Sequence, residues 1–400
     1  MNPSAPGWII KHKPLFTKWL DEASTKPEDF YTLLLKTGFL YGVSISTCIY
    51  RDQEPLKWDE TERAKINLFD ALFYTYHLKK SNSTQFFKEV VDFYTHLNNS
   101  EKGYFSGFIK TKPTAAGLEK IIQSRLQTNE ALLQRNFSNL ITNALLFLDV
   151  IAFEWYLDHK DEDVVVFAAQ FEALLMQLIW MALNQKQQKE HFDKLLLKLF
   201  EKSLRYNSSL DKGITSLESL GLYNQNTLFA RRYILDLAAL AVWDDHKIDL
   251  NELQFLKELG RLLDFNTEMT LNATLGVQEF IISNRGQISY LNYSNPVKHF
   301  YNQTSKTVRT LIIRNKKRLL LELSESKDLV ILLSYSTVRD LTKAEKKRVK
   351  SQLLDICKSV PSLAIFMLPG GGVLLPLLIK FIPELLPSAF NENRPEDHES

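Results

Sequence analysis

No proline occurs from residue 114 through 295, and glycine is sparse throughout the chain. Proline removes a backbone donor and clashes with the preceding turn, and glycine loses the most backbone entropy on folding. Helices in such a stretch can therefore run long without meeting their commonest breakers. The expected fold class is all-α, a multi-helix protein of two or three helical subdomains, ending in an apolar segment broken by proline and glycine. At 400 residues the chain is long for one core, and 45% hydrophobic with 24% charged residues is the composition of a folded protein. We place the divisions at 1–205, an N-terminal helical domain, 206–300, a second helical domain, and 301–400, a basic helix with the apolar C-terminal segment.

Apolar residues recur at helical spacing within 131–157 (Leu132, Leu133, Phe137, Leu140, Ile141, Leu148), marking a core-facing stripe. The most apolar interior run, 164–183, is long enough to cross a bilayer. It carries Gln170, Glu172 and Gln177 at mid-depth, however, and so reads as a buried helix of a soluble bundle. Residues 184–203 follow as a charged amphipathic helix, and 207–221 as a turn-rich linker.

From Thr227 the pattern becomes two helices around an acidic turn, an alanine-rich helix at 233–243, the turn at 244–249 and a helix at 250–263. This hairpin resembles the TerB-like fold known from tellurite resistance. Asp245, Asp249 and Glu252 are the candidate ligands for a hard cation, calcium or magnesium. Asp249 and Glu252 also have the N-cap and N3 spacing of a capping box, which is the reading preferred here. The histidines form no HExxH or HxH pair, and no phosphate-binding glycine loop or nucleophile elbow occurs, so no residue is nominated for catalysis and the chain is read as non-enzymatic. Cys48 and Cys357 lie far apart in apolar surroundings and suggest neither a disulfide nor a zinc site.

Thirteen lysines and arginines against five acids give residues 306–350 a net charge of +8, in a chain whose total is +2. The cationic set is Arg314, Lys316, Lys317, Arg318, Lys346, Lys347, Arg348 and Lys350, and its expected partner is anionic lipid or nucleic acid. Thr342 and Glu345 have capping-box spacing and start a helix expected to run to about Ser359. Residues 360–379 follow without a charge. They are interrupted by Pro369, Gly370, Gly371 and Gly372, with Pro376 and Pro383 at seven-residue intervals beyond Pro369. Three arrangements are open: one kinked membrane span, a re-entrant or interfacial hairpin, or a hydrophobic hairpin packed on the helical body.

Leu374-Leu375-Pro376, followed by the run from Lys380 through Pro383 and Pro387 to Phe390, resembles the Letm family of leucine-zipper and EF-hand-containing transmembrane proteins, at its membrane segment and the start of its ribosome-binding-like region. The resemblance implies membrane association and, in the family, cation/proton exchange and ribosome contact. The triple glycine interrupts what is one span there, and the family's large ribosome-contacting domain is expected beyond Ser400. The N-terminal apolar run, Trp8 to Ile10, is too short for a signal peptide. The sequence therefore leads to a bacterial, cytoplasmic protein at the inner face of the inner membrane. Its expected partners are membrane lipid or a membrane protein, the ribosome and a second copy of the chain.

Overall fold

In a computed structural model of the protein, structure is described for residues 1–23, 25–50, 58–80, 83–99, 111–130, 146–186, 189, 191–206, 216–222, 227–242, 249–284, 305, 308–309, 311–313, 315–359, 363 and 371–383. Among these the fold is all-α, with no strand. The first helices are α1 (Trp8–Ala23), α2 (Pro27–Lys36), α3 (Glu60–Lys79), α4 (Phe86–Asn99), α5 (Ala115–Glu130), α6 (Leu146–Asp158) and α7 (Val164–Gln185). They are followed by α8 (His191–Tyr206), α9 (Leu228–Val242), α10 (Leu250–Leu262) and α11 (Thr267–Asn284). The C-terminal helices are α12 (Lys316–Glu325), α13 (Lys327–Val338), α14 (Lys343–Ser359) and α15 (Gly371–Phe381).

Two hydrophobic cores organise these helices. The larger one joins α1–α7 with α9–α11, so the helices read from sequence as a separate 206–300 unit share their interior with the N-terminal ones. The smaller draws on α8, on residues 308–312 and on α12–α15, with Met176 of α7 reaching into it. We call these the body and the C-terminal lobe. α8, placed by sequence with the N-terminal domain, packs chiefly on α7 and on α15 of the lobe.

Helix α7 is the axle of the arrangement. It packs against α4, α6, α9 and α10 of the body and against α8. By length and composition it is the one described helix able to cross a membrane, yet 67% of its most apolar window is buried, and Glu172 and Gln177 are inside with it. The described part of the 131–157 stripe, Leu146 to Leu157, is buried on nearly every side within α6, while 131–145 lie outside the described residues.

Contacts between helices complete the start of α1 and set one close approach. Glu119 of α5 accepts from the backbone N–H groups of Gly7 and Ile9 at 2.9 Å each, satisfying donors at the start of α1 that no turn of its own helix can reach. Gly260 lets α10 and α11 approach closely, since a Cβ there would lie 2.1 Å from Thr270 Oγ1.

Candidate functional site

The C-terminal lobe carries most of the residues singled out by sequence, and its geometry begins with α15. Gly371 and Gly372, read as part of a break, form the first turn of this helix. Pro376 lies inside it, two residues beyond the first turn, where its missing N–H removes one early bond of the ladder rather than a central one. Leu375, Leu377, Leu378, Ile379, Phe381 and Ile382 are all buried, and α15 packs on α8 and α13. Burying six such side chains is worth on the order of 10 kcal/mol relative to leaving them in water. Of the three arrangements open to the segment, its described residues take the third, a hydrophobic element packed on the protein. Among the residues of α15 whose burial is described, Lys380 is the exposed one, with Nζ 5.4 Å from the Phe381 ring centroid, at the helix end where a cation complements the dipole. Pro383 stands just past the end of α15, half-buried. Pro369, Gly370 and Pro387 lie outside the described residues.

The basic set divides once the helices are placed. Lys316, Lys317 and Arg318 are exposed and fill the first turn of α12, which has no acid to offset them. Positive charge at a helix N-terminus opposes the macrodipole, so helix stability does not account for three cations there. On α14, Lys347 and Arg348 are exposed and Lys346 is half-exposed. Arg348 is engaged with Asp328 at 2.6 Å. The first turn of α14 is held as its sequence suggests. The Thr342 N–H donates to Glu345 Oε2 at 2.7 Å, and the Glu345 N–H donates to Thr342 Oγ1 at 3.3 Å. Arg339 grips the same carboxylate through two bonds of 2.7 and 2.9 Å and, ahead of the Thr342 backbone, pulls its pKa down to about 2.

Lys350 does not belong to this surface. It is half-buried on the inner side of α14, where burial lowers its pKa and Glu172 of α7 raises it. The physical reason is one of helical phase: Val349 and Leu353 are in the core, and Lys350 lies at their edge, facing the one acid buried in α7. It ties the lobe to the body instead of facing a ligand. Arg314 lies outside the described residues.

The acidic turn resolves into a capping box. Asp249 Oδ1 accepts from the N–H groups of Asn251 and Glu252 at 2.8 and 2.9 Å, and Glu252 Oε2 accepts from the Asp249 N–H at 2.8 Å. A cation here would have to compete with the bonds that start α10. Asp245 lies outside the described residues, and among those described no three metal-ligating side chains cluster.

Sequence reasoning missed the buried ionic groups of the body. His12 Nε2 and Asp70 Oδ1 lie 2.5 Å apart with both side chains fully enclosed, and the Tyr50 hydroxyl is 3.2 Å from His12 Nδ1. Burial raises the Asp70 pKa against the opposing pull of His12. Arg125 pairs with Asp149 in a two-pronged contact of 2.7 and 2.5 Å, and the Tyr94 hydroxyl donates to the same carboxylate at 2.9 Å. The Tyr31 hydroxyl donates to Asp236 at 2.8 Å, and burial pushes the Asp236 pKa up to about 6 although Arg232 opposes it. The one visible signal was an acid inside an apolar run, as in Asp149 and Asp236. A cleft of about 630 Å³ beside α6 and α7 is lined by Trp155, Phe167 and Phe171, whose stacked rings pack chiefly on one another.

Residues 341–400 match the family model described as LETM1-like, RBD. The LETM1-like stretch opens one residue before the Thr342 cap and takes in α14 and α15. It thus assigns to the RBD the whole stretch that the Letm resemblance divides between a membrane segment and the start of a ribosome-contacting region. No curated protein and no solved structure matches the chain. The TerB-like resemblance of α9 and α10 and a bacterial source find no support in these comparisons. α14 and α15 complete their core with α8, α12 and α13, which lie outside the match.

Proposed function

We propose that this is a non-enzymatic, Letm-related helical protein that works at the cytoplasmic face of a membrane, with the C-terminal lobe as its contact module and the body as its scaffold. The observation that carries the reading is the coincidence, in one lobe, of the LETM1-like stretch, the exposed cations Lys316, Lys317, Arg318 and Lys347, and the half-exposed Lys346. Exposed cations on a cytoplasmic surface are attracted to anionic lipid headgroups and to anionic membrane-bound assemblies. A role in ion homeostasis or in membrane-linked assembly, including contact with ribosomes, belongs to the same proposal.

The burial of α7 and α15 favours a second reading, a soluble helical scaffold that meets its partner in solution. Fractionation of cells at low and high salt separates the two. The proposal expects the full-length protein in the membrane fraction at low salt, released by high salt, and displaced when the five cations are changed to glutamate. A protein that stays wholly soluble at low salt would establish the scaffold reading. Sedimentation with ribosomes after membrane removal would transfer the contact from the bilayer to the ribosome.

A further inference from the structure

One face of the lobe alternates cations with bare aliphatic side chains. Arg309, Ile313, Lys317 and Leu321 recur every fourth residue, and all four are exposed, Ile313 to 54% and Leu321 to 62%. Arg309 and Ile313 precede Asn315, which caps α12 with non-helical backbone (φ −103°, ψ 11°), and Lys317 and Leu321 lie on α12 beyond it. On the opposite side Val308, Ile312, Leu319 and Leu323 are in the core, which fixes the direction in which the stripe faces. Lys316 and Arg318 flank it, both exposed.

We infer that this stripe is a peripheral docking face for an anionic bilayer surface, lying in the headgroup plane with Ile313 and Leu321 reaching the acyl boundary and the cations on lipid phosphates. The inference deepens the membrane reading above and rests on it for its cellular meaning. The stripe has the make-up of an interfacial helix, with a basic, partly apolar face on an element that does not span. The aliphatic positions decide the class of partner. A nucleic-acid backbone rewards the cations, but it gains from side chains that stack, and Ile313 and Leu321 cannot stack on a base. Charge also orients the approach. Residues 306–350 carry +8 within a chain of +2, so the rest of the protein is net negative and is turned away from an anionic surface.

The test uses the purified full-length protein with vesicles of phosphatidylcholine alone and of equal parts phosphatidylcholine and phosphatidylglycerol. Sedimentation is expected with the anionic vesicles only. Lys316→Glu with Lys317→Glu should weaken binding at least tenfold, since each cation near an anionic surface contributes roughly fivefold. Ile313→Ser with Leu321→Ser, which leaves the charge unchanged, should weaken it about tenfold while circular dichroism and Tm stay as in the wild type. Failure to bind anionic vesicles overturns the inference, as does binding indifferent to the serine pair, or tighter binding to single-stranded RNA that responds to the charge changes alone. The cellular reading fails separately. Membrane fractionation without vesicle binding points to a protein receptor and overturns the lipid face only, whereas vesicle binding by a protein that is soluble in cells overturns the membrane role only.

Discussion

The body and the C-terminal lobe are both helical and both hydrophobic inside, but they are specified differently. The body is rich in rings, such as Phe30 stacked on Tyr74 at 3.8 Å and Phe73 edge-on to Phe86 at 4.9 Å, and it encloses the His12–Asp70 and Arg125–Asp149 pairs. The lobe core is mainly aliphatic, and the charge pairs Arg339–Glu345 and Arg348–Asp328 lie outside it, with Lys350 at its edge toward Glu172. Buried ionic and ring contacts are directional and penalise any other arrangement, whereas aliphatic cores tolerate repacking when volume is kept. The comparison teaches that directional ionic and ring contacts add to hydrophobic burial in the body, whereas the core of the lobe relies mainly on aliphatic burial.

The largest test of that contrast is Arg125→Ala. It leaves Asp149 buried without its cation and should destabilise the body by about 3–5 kcal/mol in urea unfolding. A loss under ~1 kcal/mol would show that ionic specification of the body is unimportant. Leu378→Ala, in the core of the lobe, should lose about 2–5 kcal/mol. Hydrogen exchange is expected to show the loosening in α14 and α15 with α3 and α6 still protected; uniform loss across both regions would break the division into body and lobe.

A pH series sharpens the body side. The folded pKa of Asp236 is raised to about 6, above the unfolded value of about 3.9, so its contribution to stability is fully present below ~3.9 and lost as pH rises through about 6. Asp236→Asn keeps an acceptor for Tyr31 but does not ionise. It should gain on the wild type by about 3 kcal/mol across that window, measured as a difference in Tm. A constant difference would remove Asp236 from the pH response. Asp249→Ala should cost about 1 kcal/mol through loss of the α10 cap, and a calcium- or magnesium-induced rise in Tm seen in the wild type but not in this variant would assign a cation to the turn. The smallest effect belongs to the lobe surface, where Arg348→Ala should change stability by less than ~1 kcal/mol because its partner Asp328 is exposed.

Legibility followed the range of the interactions. The caps at Asp249–Glu252 and Thr342–Glu345 were readable because each closes within three residues, and α14 runs to Ser359 as its spacing suggests. The glycine run was legible as a place where regular structure changes, but not as the start of α15. Lys350 was read with the basic surface because a run of cations does not reveal which of its members lies at the edge of a core. The stripe of Arg309, Ile313, Lys317 and Leu321 was also hidden, since sequence alone could not say that Ile313 and Leu321 were the aliphatic residues left outside.

What the sequence determined by itself is the class of structure, the capped starts of α10 and α14 and the concentration of charge before the C-terminus, all consequences of local sterics, short hydrogen bonds and composition. What only the tertiary structure decided is which charges meet and which apolar faces close. Arg125 finds Asp149 across 24 residues, His12 finds Asp70 across 58 and Tyr31 finds Asp236 across 205. Those distances are set by how the helices pack, and burial makes such pairings decisive, because a charge out of water must have a partner while a charge on the surface need not.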